Sequence, residues 1–178
     1  MKKIILYVAA SLDQRIAEPD GDLDWLTGFP NHEKTDYGYK DLLGSVDTVV
    51  MGGKTYRELL NMDVIWPYQN QHTYVVSHHE WSAKEKISFI TENVIERIKM
   101  LRIEAGKDIW LVGGGELISI LLAADLVDEI QITYIPVILG KGISLFPEQP
   151  KESKWELIKS TVYNSDVLKV NYRHHKSI

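Results

Sequence analysis

IWLVGGGELISILL, residues 109–122, is the stretch that decides the fold. An apolar run from Ile109 to Val112 stops at Gly113, Gly114 and Gly115, and apolar residues then return at helical spacing. This pattern reads as a buried strand that turns directly into a helix. The first N–H groups of such a helix are unpaired, and its dipole end is positive. Side chains are absent where the main chain could lie against something large and anionic. A second turn repeats the design: the strand Val46–Met51 meets Gly52, Gly53 and Lys54, and Thr55–Leu60 continues as a helix. For either turn alone, tight turning and close helix–strand packing is the competing explanation. Two such turns at matching strand ends suit a pyrophosphate joined to a second anionic group, as in a dinucleotide.

The rest of the chain fits the same plan. Residues 3–10 are apolar without alternation, as in a strand buried on both faces. Short helices are expected at Leu23–Thr27 and Tyr37–Leu43, and a strand at Thr73–Ser77. Asn93 and Glu96 have capping-box spacing before a helix whose apolar face carries Val94, Ile95, Ile98 and Leu101, and Gly106 stands where a C-terminal cap is expected. Strands at 108–112 and 127–137 flank the helix Glu116–Ala123, and two β-rich runs around Asn164–Asp166 predict a closing hairpin. The expectation is one α/β domain over residues 1–178: three layers, a mainly parallel central sheet with helices on both faces, and a C-terminal antiparallel hairpin.

Composition narrows the function. The net charge of -5 argues against a nucleic-acid surface as the main partner. No apolar run is long enough to span a bilayer. The lack of cysteine excludes disulfides, thiolate catalysis and cysteine-bound zinc, and fits a reducing cytoplasm. No metal cluster is expected, since His174 and His175 near the chain end read as solvent-exposed. After the strand that ends in YVVS, Ser77 and His78 suit a ribose phosphate better than free ribose hydroxyls, with Lys54 nearby.

The ordered set AASLDQRIA (9–17), VVMGGKTYREL (49–59), YVVS (74–77) and IWLVGGGELI (109–118) resembles the dihydrofolate reductase superfamily. IPVILGKGISLFPE (135–148) is more similar to the reductase of riboflavin biosynthesis, which acts on a ribosylamino-uracil phosphate. The resemblance implies a dihydrofolate-reductase-like fold and a homodimeric enzyme that passes hydride from NADPH to a small nitrogen heterocycle. It implies that Ala9 and Ile16 flank the nicotinamide. Gly52, Gly53, Lys54 and Thr55 would meet the phosphates from one side, and Gly113, Gly114, Gly115 and Glu116 from the other. Ser77 and His78 would face the 2′-phosphate. Relatives usually carry a basic residue where Gly53 stands, so Lys54 must serve instead. The arginine that grips folate's glutamate in the folate enzymes is replaced here by Gln71 and His72, which cannot form the bidentate pair. A fused zinc deaminase would need cysteines that this chain lacks.

Reduction also needs a proton. Asp22 matches the folate-reductase carboxylate in a D-x-x-W pattern ending at Trp25; half-buried there, it would have a raised pKa and could hold a substrate amide. Asp24 and Trp25 complete that substrate contact, although both aspartates could instead serve the helix N-terminus. Asp13, where the first strand ends, is the second acid candidate. A folate or pteridine reductase with another substrate grip, and a nucleotide-binding protein that kept the fold without the chemistry, are the competing readings.

Overall fold

A computed structural model describes residues 1–147 and 151–176. In chain order its elements are β1 (Ile4–Ser11), β2 (Arg15–Ala17), α1 (Asp24–Thr27), α2 (Tyr39–Ser45), β3 (Val46–Gly52), α3 (Gly53–Asn61), β4 (His72–Val76), β5 (Ile87–Ile90), α4 (Val94–Ile103), β6 (Asp108–Gly113), α5 (Gly115–Ala123), β7 (Glu129–Ile135), β8 (Ile143–Ser144), β9 (Trp155–Tyr163) and β10 (Val167–His174). The central sheet has eight strands in the order β5-β4-β3-β6-β1-β7-β10-β9. Its first six pair in parallel, and β10 runs antiparallel to both β7 and β9. A 3₁₀ turn at Asn164–Asp166 closes the expected hairpin.

Each central strand faces two cores. Ile4, Leu6, Val8 and Ala10 of β1 join Ile109 and Leu111 of β6 under Ile98 and Leu101 of α4 and Leu117, Ile118 and Leu121 of α5. On the opposite face, Ile5, Val49, Met51, Val75 and Trp110 pack with Leu42 of α2 and Tyr56 of α3. Successive side chains along a strand point to opposite faces, so an unalternating apolar strand is buried on both. That makes three layers, with helices on both sides of the sheet.

Carboxylates close one end of the strands. Asp108 accepts the Lys3 amide at 2.8 Å, Asp128 the Ile4 amide at 2.9 Å and Asp47 the Lys107 amide at 2.7 Å. Asp47 also pairs with the buried Lys2 at 2.7 Å, and Asp128 with Arg102 at 2.9 Å. The carboxyl ends of the strands carry the glycine turns instead.

Several local expectations differ from the structure. Asn93 does not cap α4 with its side chain; its backbone is left-handed at φ 50°, and Glu96 pairs with Lys99 at 3.2 Å. Gly106 is not the helix cap, because α4 has already ended at Glu104; the residue turns the chain at φ 133° into β6, its bare Cα against the Asp47 carboxylate. The edge strand β5 and the ribbon of β2 with β8 carry too few residues to show a period. Leu111 is fully buried at the centre of the first core. Leu111→Ala should lower unfolding free energy by about 2–5 kcal/mol in urea titration; a loss under about 1 kcal/mol would contradict this placement of β6.

Candidate active site

The carboxyl ends of three strands lie together. Gly52 of β3 pairs with Val76 of β4, and Met51 of β3 with Gly113 of β6. Helices α3 and α5 start at Gly53 and Gly115, so both helix N-termini open at this edge. The Gly113–Gly114 peptide bond is cis.

The five glycines are bare for different reasons. Gly113 has φ +125°, which favours glycine. A Cβ on Gly53 would lie 2.6 Å from Ser77 Oγ and 2.8 Å from Ser77 Cβ. Ser77 therefore fills the space that a side chain on Gly53 would need. A Cβ on Gly115 would meet the Ser144 carbonyl at 2.9 Å and Pro147 at 3.0 Å, so this glycine lets the loop after β8 close over α5. Gly52 and Gly114 differ from these. Their φ values are -77° and -76°. A Cβ on Gly52 would have its nearest neighbour at 3.6 Å, and one on Gly114 at 3.8 Å, both ordinary contacts. Beyond their chain neighbours, no described residue would crowd a side chain at either position.

Beside this edge is a cavity of about 520 Å³, within the usual range for a ligand site. Lys54 and Arg57 line it from α3, Ser77, His78 and Trp81 from the segment after β4, and Glu116 from the start of α5. Neither Lys54 nor Arg57 forms an ion pair among the described residues. Ser77 Oγ accepts the His79 amide at 3.0 Å, and the His79 ring meets Trp81 edge-on at 4.7 Å. Thus Gly53, Lys54, Ser77, His78 and Glu116 meet at one cavity, with Thr55 beside Gly114. Arg57 went unnoticed in the sequence, although it lies three residues after Lys54 and so on the same helix face. Ala9 is partly exposed on β1, and Ile16 packs against the first core from β2.

The acidic candidates have other surroundings. Asp13 accepts hydrogen bonds from Ser11 Oγ at 2.6 Å, the Leu139 amide at 3.1 Å and the Gly140 amide at 2.8 Å. The Ser11 bond and then the two amides outweigh partial burial and lower its pKa from 3.8 to about 2. A carboxylate held so firmly ionised ties the end of β1 to the loop after β7 and is a poor proton donor. Asp22 accepts the Asp24 amide at 2.6 Å, and its oxygens face those of Glu18 and Asp20 within 4.8 Å. It stands with Glu18 and Asp20 in an acidic group ahead of α1. Asp24 is exposed on that helix, and Trp25 is half-buried. Gln71 donates to the Leu43 carbonyl at 3.1 Å, and His72 pairs with Ser88 at 2.8 Å. Gln71 and His72 are therefore both engaged by other residues of the chain.

A family model described as the RibD C-terminal domain matches residues 2–169. The uncharacterized protein YwjB of Bacillus subtilis is 38% identical over 172 residues, which cover 96% of this chain and 97% of that one. The crystal structure of a protein from Shewanella sp. PV-4, provisionally assigned to riboflavin biosynthesis, superposes with a TM-score of 0.88 at 31% identity, covering 98% of this chain and 99% of that one. Dihydrofolate reductase from Enterococcus faecalis, solved with NADP(H) and RAB-propyl, shares the fold with a TM-score of 0.71 at 19% identity, over 98% of this chain and 97% of that one. Among the described residues no helix is long and apolar enough to cross a membrane.

A lowered carboxyl pKa stabilises the fold above its unfolded value and loses that contribution as pH falls through the folded value. Asp13 should therefore contribute acid sensitivity between pH 3.8 and about 2. Asp13→Asn should flatten the fall of the urea midpoint across that window; an unchanged slope would show that the Ser11, Leu139 and Gly140 bonds do not hold the carboxylate in solution.

Proposed function

We propose that this chain, which belongs to the RibD C-terminal domain family, is an NADPH-dependent reductase of a small nitrogen heterocycle, most like the ribosylamino-uracil phosphate reductase of riboflavin biosynthesis. One observation carries the reading: Gly52 and Gly114 are bare although no described residue beyond their chain neighbours would crowd a side chain there. Their free faces lie at helix N-termini, where main-chain N–H groups can bind a pyrophosphate.

The fit to a dinucleotide extends outward from those two glycines. Lys54 and Arg57 present two cations to a 2′-phosphate, with Ser77 and His78 as hydrogen-bonding partners. Glu116 can accept from sugar hydroxyls at the other side of the cavity, and Trp81 offers a flat apolar wall to the adenine. Bound there, NADPH would supply a hydride to a C=N or C=O carbon. Ala9 of β1 would border the ring that gives it, and Ile16 would close that side from β2. The chain's contribution is to orient the two rings and keep water out. The engagement of Gln71 and His72 within the protein weighs against folate as substrate. The proposal includes a cytoplasmic homodimer, with Leu157 and Val162 exposed along the edge strand β9.

NADPH at one hundred times its Kd should stabilise the protein by about 2.7 kcal/mol, a rise of roughly 5–10 °C in melting temperature for a chain of this size. NADH should give a smaller rise, and Lys54→Gln with Arg57→Gln should bring the two together. Equal shifts in the wild type would overturn the 2′-phosphate assignment. The glycine argument has its own control. Gly52→Ala should leave the melting temperature within about 2 °C of wild type yet weaken NADPH roughly tenfold or more, whereas Gly115→Ala should cost roughly 1–3 kcal/mol through Ser144 and Pro147. A Gly52→Ala protein that binds NADPH normally would mean that nothing lies against that turn.

A further inference from the structure

The acidic candidates leave the proton that reduction needs without a source. Asp13 is engaged by Ser11, Leu139 and Gly140, and Asp22 stands with Glu18 and Asp20 ahead of α1. On the α2 side of the sheet, strand register sets Ala9, Thr133, Lys169 and Thr161 in one row across β1, β7, β10 and β9. With strands about 4.7–4.9 Å apart, Lys169 stands roughly 10 Å from Ala9. Its side chain crosses much of that gap, because the ammonium lies 4.8 Å over the ring of Tyr7, two residues before Ala9 on β1. Between the two strands, Thr133 is 3% exposed, and its hydroxyl oxygen is buried without a hydrogen-bond partner. A cavity of about 240 Å³ over β7, β10 and β9 has Lys169 in its wall, with Gln131, Asn171, Lys159 and Asp41.

Lys169 is unusual for a strand lysine. It is only 8% exposed and forms no ion pair among the described residues. Its ammonium donates to the Tyr37 carbonyl at 3.2 Å, and the Tyr7 hydroxyl donates to the same carbonyl at 3.1 Å. A carbonyl and a ring face compensate a buried ammonium only in part, so the charged form is held less firmly than on the surface. Burial first, and then Lys159 of β9, lower its pKa; Asp36 and Asp41 act the other way. The Tyr7 hydroxyl moves in the opposite direction: burial first, and then Tyr163, Asp36 and Tyr39, push it up. Of the two donors to one carbonyl, the lysine is the one that gives up its proton more readily.

We propose that Lys169 is the proton donor of the reduction. The inference rests on the reductase reading, in which bound NADPH supplies the hydride. As the carbon of a C=N or C=O group beside Ala9 takes that hydride, the π bond breaks and the nitrogen or oxygen takes a proton from Lys169 Nζ. The Thr133 hydroxyl, buried without a partner among the described residues, holds the accepting atom beside the ammonium. The Tyr37 carbonyl and the Tyr7 ring keep the ammonium on the β1 side until the transfer. Lys169 is left as a neutral amine and regains a proton from water in the cavity, where Lys159 and Asp41 are exposed. The substrate gains two electrons, NADPH loses two, and solvent supplies one proton.

Two measurements test this. The first follows NADPH oxidation by the ribosylamino-uracil phosphate across pH. A general acid must be protonated, so wild-type kcat should fall as pH rises through the pKa of Lys169, below the ordinary lysine value of 10.5. Lys169→Met should lower kcat roughly a hundredfold or more and remove that alkaline fall, with the melting shift caused by NADPH unchanged. Lys169→Arg keeps the cation but cannot lose a proton, so it should be as slow as Lys169→Met. Turnover restored by Lys169→Arg, or an alkaline fall that survives Lys169→Met, overturns the proposal. The second measurement needs neither substrate nor variant. In protein labelled with ¹³C at lysine Cε, the resonance shifted by the Tyr7 ring should titrate below 10.5, and a midpoint at or above that value overturns the proposal. It decides alone should the variants fail to fold. A wild type that does not oxidise NADPH with this substrate counts against the reductase reading instead, and the lysine titration is still read.

Discussion

Burial of both faces of β3, β6 and β1 is the constraint on which the rest depends. These strands can be apolar throughout only if helices cover each side, and parallel pairing then sends every carboxyl end to one edge. The opposite edge is closed by Asp47, Asp108 and Asp128, which accept backbone amides from neighbouring segments. Polar chemistry is thereby concentrated where α3 and α5 begin. A ligand with several anionic groups meets main-chain donors there without displacing any core side chain.

Legibility in the sequence followed the range of the forces involved. The strand of residues 4–11, the two glycine turns, α5 and the closing hairpin were readable because each is set by its own apolar pattern or turn residues. Asn93 and Glu96 had the right spacing for a cap, but the chain enters α4 through a left-handed residue, and no local signal foretold that. Gly106 was read as a helix end, whereas its bare Cα answers to Asp47, far away in sequence. Asp13 and Asp22 show the same limit. Asp13 was read at the end of the first strand and Asp22 beside a short helix, but an acid's role depends on what donates to it, and for Asp13 those donors include Leu139 and Gly140. Lys169 was invisible for a related reason. In LKVN a lysine reads as the solvent face of an edge hairpin, and only Tyr7, Tyr37 and α2 folding over it make it buried.

The glycines carry a more general point. Five of them in two turns invited a single explanation, and the structure divides them. Gly113 answers to its own backbone angle, Gly53 to Ser77 and Gly115 to the loop after β8. Gly52 and Gly114 alone of the five lack both a positive φ and a crowding residue beyond their chain neighbours among the described residues, so the case for a ligand rests on two positions rather than five.

The sheet order gives the two cavities a common logic. The larger one lies beyond β4 and β3 with Glu116 of α5 across from them, the smaller over β7, β10 and β9, and β1 stands between. Each cavity holds two basic residues, Lys54 and Arg57 in one and Lys159 and Lys169 in the other, in a chain whose net charge is -5. The average charge repels anions while two recesses attract them, and low-dielectric walls strengthen that contrast. A diffuse polyanion such as nucleic acid would feel the average. A compact anion that fits a recess would feel its basic residues.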